Sequence, residues 1–181
     1  MLESRWTERQ GGGKTTTIRL LMGFLKRDSG RVTINEHDCW REKTEVKKIV
    51  SYLPGELHFI ENLTGAECLD LIAGMHCDYL QIKKNRDYFV SALDLDLRIL
   101  IRKMSKGMKQ KLGIISALML DATVLILDEP SSGLDPLMQK VFIDLILEEK
   151  KRGRLYLCLP TNSRRLSARV SRLELFEKGN F

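Results

Sequence analysis

Ile18, Leu20, Leu21, Phe24 and Leu25 recur at helical spacing behind the glycines Gly11, Gly12 and Gly13. That pattern predicts a helix opening at the glycines and stopping near Asp28-Ser29-Gly30. Arg31–Asn35 alternates as a short strand with Val32 and Ile34 on one face, and Ile49–Leu53 predicts a second strand ended by Pro54-Gly55. From Thr64 to about Leu120 the period becomes helical. Thr64 and Glu67 have capping-box spacing, a second helix is expected over Lys83–Leu93, and a third follows Ser105 through Met108, Leu112, Ile115 and Leu118. Thr123–Leu127 then reads as a compact apolar strand, Pro136–Lys151 as a helix with proline at its first position, and Leu155–Leu159 as a strand. Strand–helix alternation on both sides of a helical block predicts an α/β core with a helical insertion.

The chain has 181 residues, 43% of them hydrophobic and 30% charged, which is the balance of one soluble domain. The apolar runs around Ile114–Leu120 and over Val124–Leu127 fall far short of the roughly 20 residues of a spanning helix. Arg5, Glu8 and Arg9 interrupt the stretch where a signal peptide would carry its apolar core. Cysteines 39, 68, 77 and 158 have no ligand spacing, so a disulfide scaffold or zinc site is not expected and a reducing cytoplasm is. The net charge of +6 is compatible with anionic partners. The lysines 103, 106, 109 and 111 lack the aromatic interleaving of a nucleic-acid surface, so nucleic acid is not an expected partner.

Gly13-Lys14-Thr15 carries the chemistry of the first half. Glycines let backbone N–H groups curl around phosphate oxygens, and a helix starting there aims its positive dipole end at the anion. Lys14 would reach the terminal phosphates and the Thr15 hydroxyl would hold Mg²⁺. The full phosphate-loop pattern wants a glycine where Glu8 stands.

The second signal is Val124-Leu125-Ile126-Leu127-Asp128-Glu129-Pro130. A buried strand that delivers two carboxylates at its C-terminal end is where α/β folds place ligand chemistry. Asp128 is expected to hold Mg²⁺ and Glu129 to orient or deprotonate the attacking water beside a γ-phosphate. Neighbours on an extended chain face opposite ways, so the two acids can divide these tasks.

Ser105-Lys106-Gly107-Met108-Lys109-Gln110 resembles the signature motif of the ATP-binding cassette of ABC transporters, with lysine for its first glycine. Asp128-Glu129-Pro130 followed by Ser131–Pro136 is similar to that family's Walker B strand and D-loop, and Tyr52-Leu53-Pro54 to the entry of its Q-loop. The resemblance runs from about Gly11 to Leu159. It implies an α/β, P-loop NTPase-type sheet core over 11–62 and 121–160, and a helical subdomain over 63–120 that carries the signature. It implies an ATPase that binds and hydrolyses ATP with Mg²⁺ in a head-to-tail dimer with a second such cassette. The resemblance further implies work for membrane-spanning transporter subunits, hence a cytoplasmic protein held peripherally on the inner face of the membrane. Gly11, Gly12, Gly13, Lys14, Thr15 and Thr16 would hold one nucleotide, and Ser105, Lys106, Gly107, Met108 and Asp135 would face the nucleotide of the partner. Thr15 and Asp128 would hold the metal, with Glu56 approaching through water, and Glu129 would be catalytic. The lysine-substituted signature and Tyr-Leu-Pro-Gly-Glu look most like cassettes serving small bacterial exporters with separate membrane subunits.

The chain departs from the family pattern in three places. Little precedes the phosphate loop, and Trp6 lies in no strand pattern, so an N-terminal truncation is expected. Gly55 stands where the Q-loop glutamine belongs, with Glu56 next to it. The switch histidine is missing after the last strand, since His37, His58 and His76 lie elsewhere. One consistent codon choice for Cys158–Lys178, read from the third base, gives S-S-H-Q-L-S-E, similar to the missing segment. A reading-frame shift between about Arg154 and Cys158 is therefore expected, with an aberrant, loosely packed tail over 160–181. The competing readings are a catalytically impaired cassette and a non-transport ABC ATPase acting on ribosomes or nucleic acid.

Overall fold

The structure is a computed structural model that describes residues 14–76 and 78–159. Expectations for Trp6, Gly11, Gly12, Gly13, Cys77 and the tail 160–181 lie outside the described residues. The core is a parallel three-stranded sheet in the order β3 (Val50–Leu53), β4 (Val124–Asp128), β5 (Leu155–Leu159). In register, Val50 opposes Val124 and Leu53 opposes Leu127, while Val124 opposes Leu155 on the other side.

Strand β4 is apolar from Val124 to Leu127 because both of its faces are covered there. Val124 and Ile126 share a core with Ile18 and Leu21 of α1 (Lys14–Leu21) and with Met22 just after it. Leu125 and Leu127 face the opposite layer with Leu112 and Ile115 of α5 (Lys106–Leu118) and Phe142 and Leu145 of α6 (Pro136–Lys151). Each of these buried strand side chains contributes on the order of 1.5–3 kcal/mol. The helices α3 (Gly65–Gly74) and α4 (Tyr79–Leu93) join that second layer through Leu69, Phe89 and Leu93. Between the layers Ser51 donates its hydroxyl hydrogen to the Ala117 carbonyl at 2.8 Å, fixing α5 on the sheet.

The Thr64–Glu67 capping box forms in both directions and starts α3. Helix α1 is shorter than its hydrophobic pattern predicts. It ends at Leu21, where the Phe24 N–H reaches the Arg19 carbonyl and the Gly23 N–H reaches Leu20, with Gly23 at φ 64. That is a glycine-terminated helix end, and it leaves Phe24 and Leu25 outside the helix and exposed. Helix α4 starts earlier than predicted because Asp78 accepts from the Gln81 N–H. The expected strand over Arg31–Asn35 forms only as the short β1 (Thr33–Ile34). Two elements give no sequence signal, its hairpin partner β2 (His37–Asp38) and helix α2 (Lys43–Ile49). The hairpin turns through Asn35 and Glu36, both at positive φ, and α2 buries only Val46. Among the described residues, no helix is long and apolar enough to cross a membrane.

Candidate nucleotide site

Lys14, Thr15 and Thr16 form the first turn of α1, and both threonines are exposed there. Their position follows from the helix itself, since Ile18 and Leu21 are buried on one face and the opening turn is left at the surface. An exposed helix start offers unpaired N–H groups and the positive dipole end.

Asp128 closes β4 and is half-buried. Position 55 points at it. A Cβ built on Gly55 would lie 3.5 Å from Asp128 Cγ and Oδ2. A side chain at position 55 would thus start in ordinary contact with the strand-end carboxylate. On the α1 side, burial and then the Asp128 charge push the Tyr52 hydroxyl pKa up, while Arg19 of α1 opposes the shift. Tyr52 therefore lies within electrostatic reach of both the end of β4 and the second turn of α1.

Glu129 follows Asp128 with φ 49, a left-handed conformation that costs a non-glycine residue about 1–2 kcal/mol. The turn it opens closes through Ser132 N–H to the Glu129 carbonyl at 3.0 Å and Leu134 N–H to the Ser131 carbonyl at 3.2 Å. Backbone strain held in place by its surroundings is a property of functional positions.

The signature segment meets this turn. Ser105 caps α5, its hydroxyl oxygen accepting from the Met108 N–H at 3.2 Å, which leaves the hydroxyl hydrogen to donate elsewhere. A Cβ on Gly107 would stand 3.0 Å from the Gly133 carbonyl oxygen, so glycine permits the close approach of the two backbones. Gln110, 3% exposed, donates from Nε2 to the Pro130 carbonyl at 2.8 Å. Gln110 belongs to the motif but received no role from the sequence. Its signal is its spacing, four residues before Ile114 and seven before Ala117, which puts it on the buried face of α5.

Asp135 caps α6 by accepting from the Met138 N–H at 2.9 Å, and Gln139 donates to the Leu134 carbonyl at 3.0 Å. Glu56 is exposed and lines a groove of about 460 Å³ with His58, Lys106, Lys109 and Gln110. Among the described residues, no three or more His, Cys, Asp or Glu side chains form a metal-holding group. The structure thus sets Lys106 and Gly107 against Gly133 and Gln110 against Pro130, in the turn that follows Asp128 and Glu129, and places Glu56 in the groove beside Lys106 and Gln110.

The comparisons with known proteins agree with this geometry. The ABC transporter family model matches residues 9–132. The bacitracin transport ATP-binding protein BcrA of Bacillus licheniformis is 39% identical over 135 residues, covering 71% of this chain and 42% of its own length. A probable multidrug ABC transporter ATP-binding protein of Escherichia coli, YbhF, is 34% identical over 150 residues, which are 81% of this chain and 26% of that protein. This chain thus spans less than half the length of these curated relatives. A solved ATP-binding subunit of an ABC transporter superimposes with TM-score 0.79 at 28% identity, covering 85% of this chain and 65% of that one. A dimeric bacterial ABC transporter cassette shares the fold at TM-score 0.72 and 18% identity, over 84% of this chain and 71% of that one. With the family model covering most of its length and the P-loop NTPase-type fold of a solved cassette, the chain belongs to the ABC transporter family.

Proposed function

We propose that this chain is the ATP-binding part of an ABC transporter, binding and hydrolysing ATP with Mg²⁺ in a head-to-tail dimer with a second cassette. The observation that carries the reading is the junction of signature helix and acidic turn. Gln110 is bonded to Pro130 and Gly107 lies against Gly133, next to Asp128 and Glu129.

Lys14, Thr15, Thr16 and the preceding glycines Gly11, Gly12 and Gly13 hold the phosphates of one nucleotide. The residues fit a hard cation: Asp128 is a carboxylate at the strand end, beside the backbone of Gly55, and Thr15 adds an exposed hydroxyl oxygen. Bound Mg²⁺ would neutralise charge on the terminal phosphates. Glu129 accepts the proton of the attacking water. Ser105, Gly107 and Met108, at the start of α5, present donors to the γ-phosphate of the partner's nucleotide, and Asp135 lies at the same dimer face. A membrane-spanning subunit docks on the face that carries the Gly55–His58 groove, which makes the chain cytoplasmic and peripheral to the inner face of the membrane. The helical subdomain 63–120, between the two parts of the sheet core, passes motion to that subunit. The membrane subunits served are those of a small bacterial exporter, carried on chains separate from the cassette.

Gly55 favours a second reading, a cassette that binds ATP but turns it over slowly, because the side chain facing Asp128 is missing. Calorimetry with ATP, with and without Mg²⁺, paired with phosphate release separates the two. Binding with turnover supports the motor, binding without turnover supports the impaired cassette, and absence of binding defeats both. Co-purification with a membrane subunit tests the transport assignment.

A further inference from the structure

From the stacking of the Lys106 side chain on Gly133, we infer that Lys106 is a positioning residue that clamps the turn after Glu129 through its hydrocarbon stem.

Lys106 is the first residue of α5, a place where a positive charge opposes the helix dipole. Helix stability therefore does not account for it, and its contacts do. A Cβ built on Gly133 would lie 3.1 Å from Lys106 Cγ and 3.3 Å from both Cδ and Cε. Three consecutive carbons thus cover the bare Cα of Gly133, which sits at φ 79. Long cationic side chains bury their stems on such surfaces while the ammonium stays in water.

The covered turn is the one that needs restraint. Glu129 opens it in a left-handed conformation, and two backbone hydrogen bonds close it, from Ser132 to Glu129 and from Leu134 to Ser131. Helix α5 holds the turn at two other points, Gln110 on Pro130 and Gly107 against Gly133. Lys106 adds a third on the outer side, which a glycine at position 106 would lack. Helix α6 holds the far end through Gln139 on Leu134. The clamp thereby ties the start of the signature helix to the backbone that sets the direction of Glu129. Its effect on catalysis rests on the proposed ATPase function, while its effect on the turn does not.

Amide hydrogen exchange on the nucleotide-free full chain tests the clamp with Lys106→Ala, which removes the stem, and Lys106→Met, which keeps most of it and removes the charge. The expected result is exchange at Ser132 and Leu134 several-fold faster in Lys106→Ala and near wild type in Lys106→Met. Equal protection in wild type and Lys106→Ala overturns the inference, as does Lys106→Met exchanging as fast as Lys106→Ala. Where the wild type turns over ATP, Lys106→Ala should lower kcat several-fold at unchanged KM. A raised KM at unchanged kcat would instead mark Lys106 as a nucleotide contact and overturn the positioning role. Wild-type chain without turnover, with the exchange contrast intact, defeats the ATPase reading and leaves the clamp standing.

Discussion

Gln110 and Pro130, 20 residues apart, are joined by a buried hydrogen bond of 2.8 Å from the Gln110 side-chain amide to the Pro130 carbonyl. Pro130 is the residue after Glu129, so a helix that carries the signature is bonded to the backbone next to the proposed catalytic acid.

Replacing Gln110 with Leu keeps the side-chain bulk and strips the Pro130 carbonyl of its donor. A buried acceptor left unsatisfied costs about 1–3 kcal/mol. Urea denaturation should show a lower midpoint at unchanged m-value. An unchanged midpoint would mean that water replaces the amide.

Glu129→Gln should retain ATP binding and lose most turnover, because an amide cannot take a proton from water. Lys14→Ala should instead weaken binding itself by at least about tenfold, the loss of one charge-assisted contact. Calorimetry with Mg²⁺ and a phosphate-release assay read the two effects separately. Loss of binding in Glu129→Gln would reverse the assignment.

Gly55→Gln should be accepted, since a Cβ there meets Asp128 at ordinary contact distances of 3.5–3.6 Å. With an added amide oxygen beside Asp128, the Mg²⁺ concentration that half-saturates nucleotide binding should fall. A magnesium titration of fluorescent nucleotide binding checks this. No change would separate position 55 from the metal.

Gly23→Ala should be severely destabilising. A Cβ at Gly23 would clash with the Cys39 carbonyl oxygen, and the residue holds φ 64. The conformation alone costs about 1–2 kcal/mol, and the backbone clash adds to it. Thermal unfolding measures the sum. A melting temperature within about 2 °C of wild type would refute it.

The Asp38 carboxyl is held down to about 2, first by hydrogen bonds from Arg27 and then by the Arg41 N–H, with a smaller contribution from the Trp40 N–H. Arg27 Nη1 and Nη2 bind its two oxygens at 3.1 and 2.8 Å. A depressed folded-state pKa stabilises above the ordinary carboxylate value and loses that stability as pH falls toward the folded value. Arg27→Met should therefore lower stability at neutral pH and flatten its decline between about pH 4 and pH 2. Denaturation midpoints across that range decide it, and parallel curves for both proteins would contradict the pairing.

The sequence by itself determined the elements whose signals are local. The apolar run Thr123–Leu127 reads as a compact strand and Thr64 with Glu67 has the spacing of a capping box, and both elements form. The order of the motifs likewise singled out Asp128, Glu129 and Ser105 as the expected chemical positions, since residue type and spacing carry that expectation. Tertiary structure decided the rest. Nothing in the pattern around Gly23 says that a carbonyl from Cys39 closes on it, and nothing around Lys106 says that its stem lies on Gly133. Helix α2, with only Val46 buried, exists because the hairpin and sheet edge support it rather than because its own period demands it. The glycine at position 55 reads in the sequence as a departure from the expected glutamine, but only the fold sets that position in contact with Asp128. Local periodicity reports what each segment buries, whereas contacts between residues far apart in sequence arise only when the packed layers bring their backbones within a few ångströms.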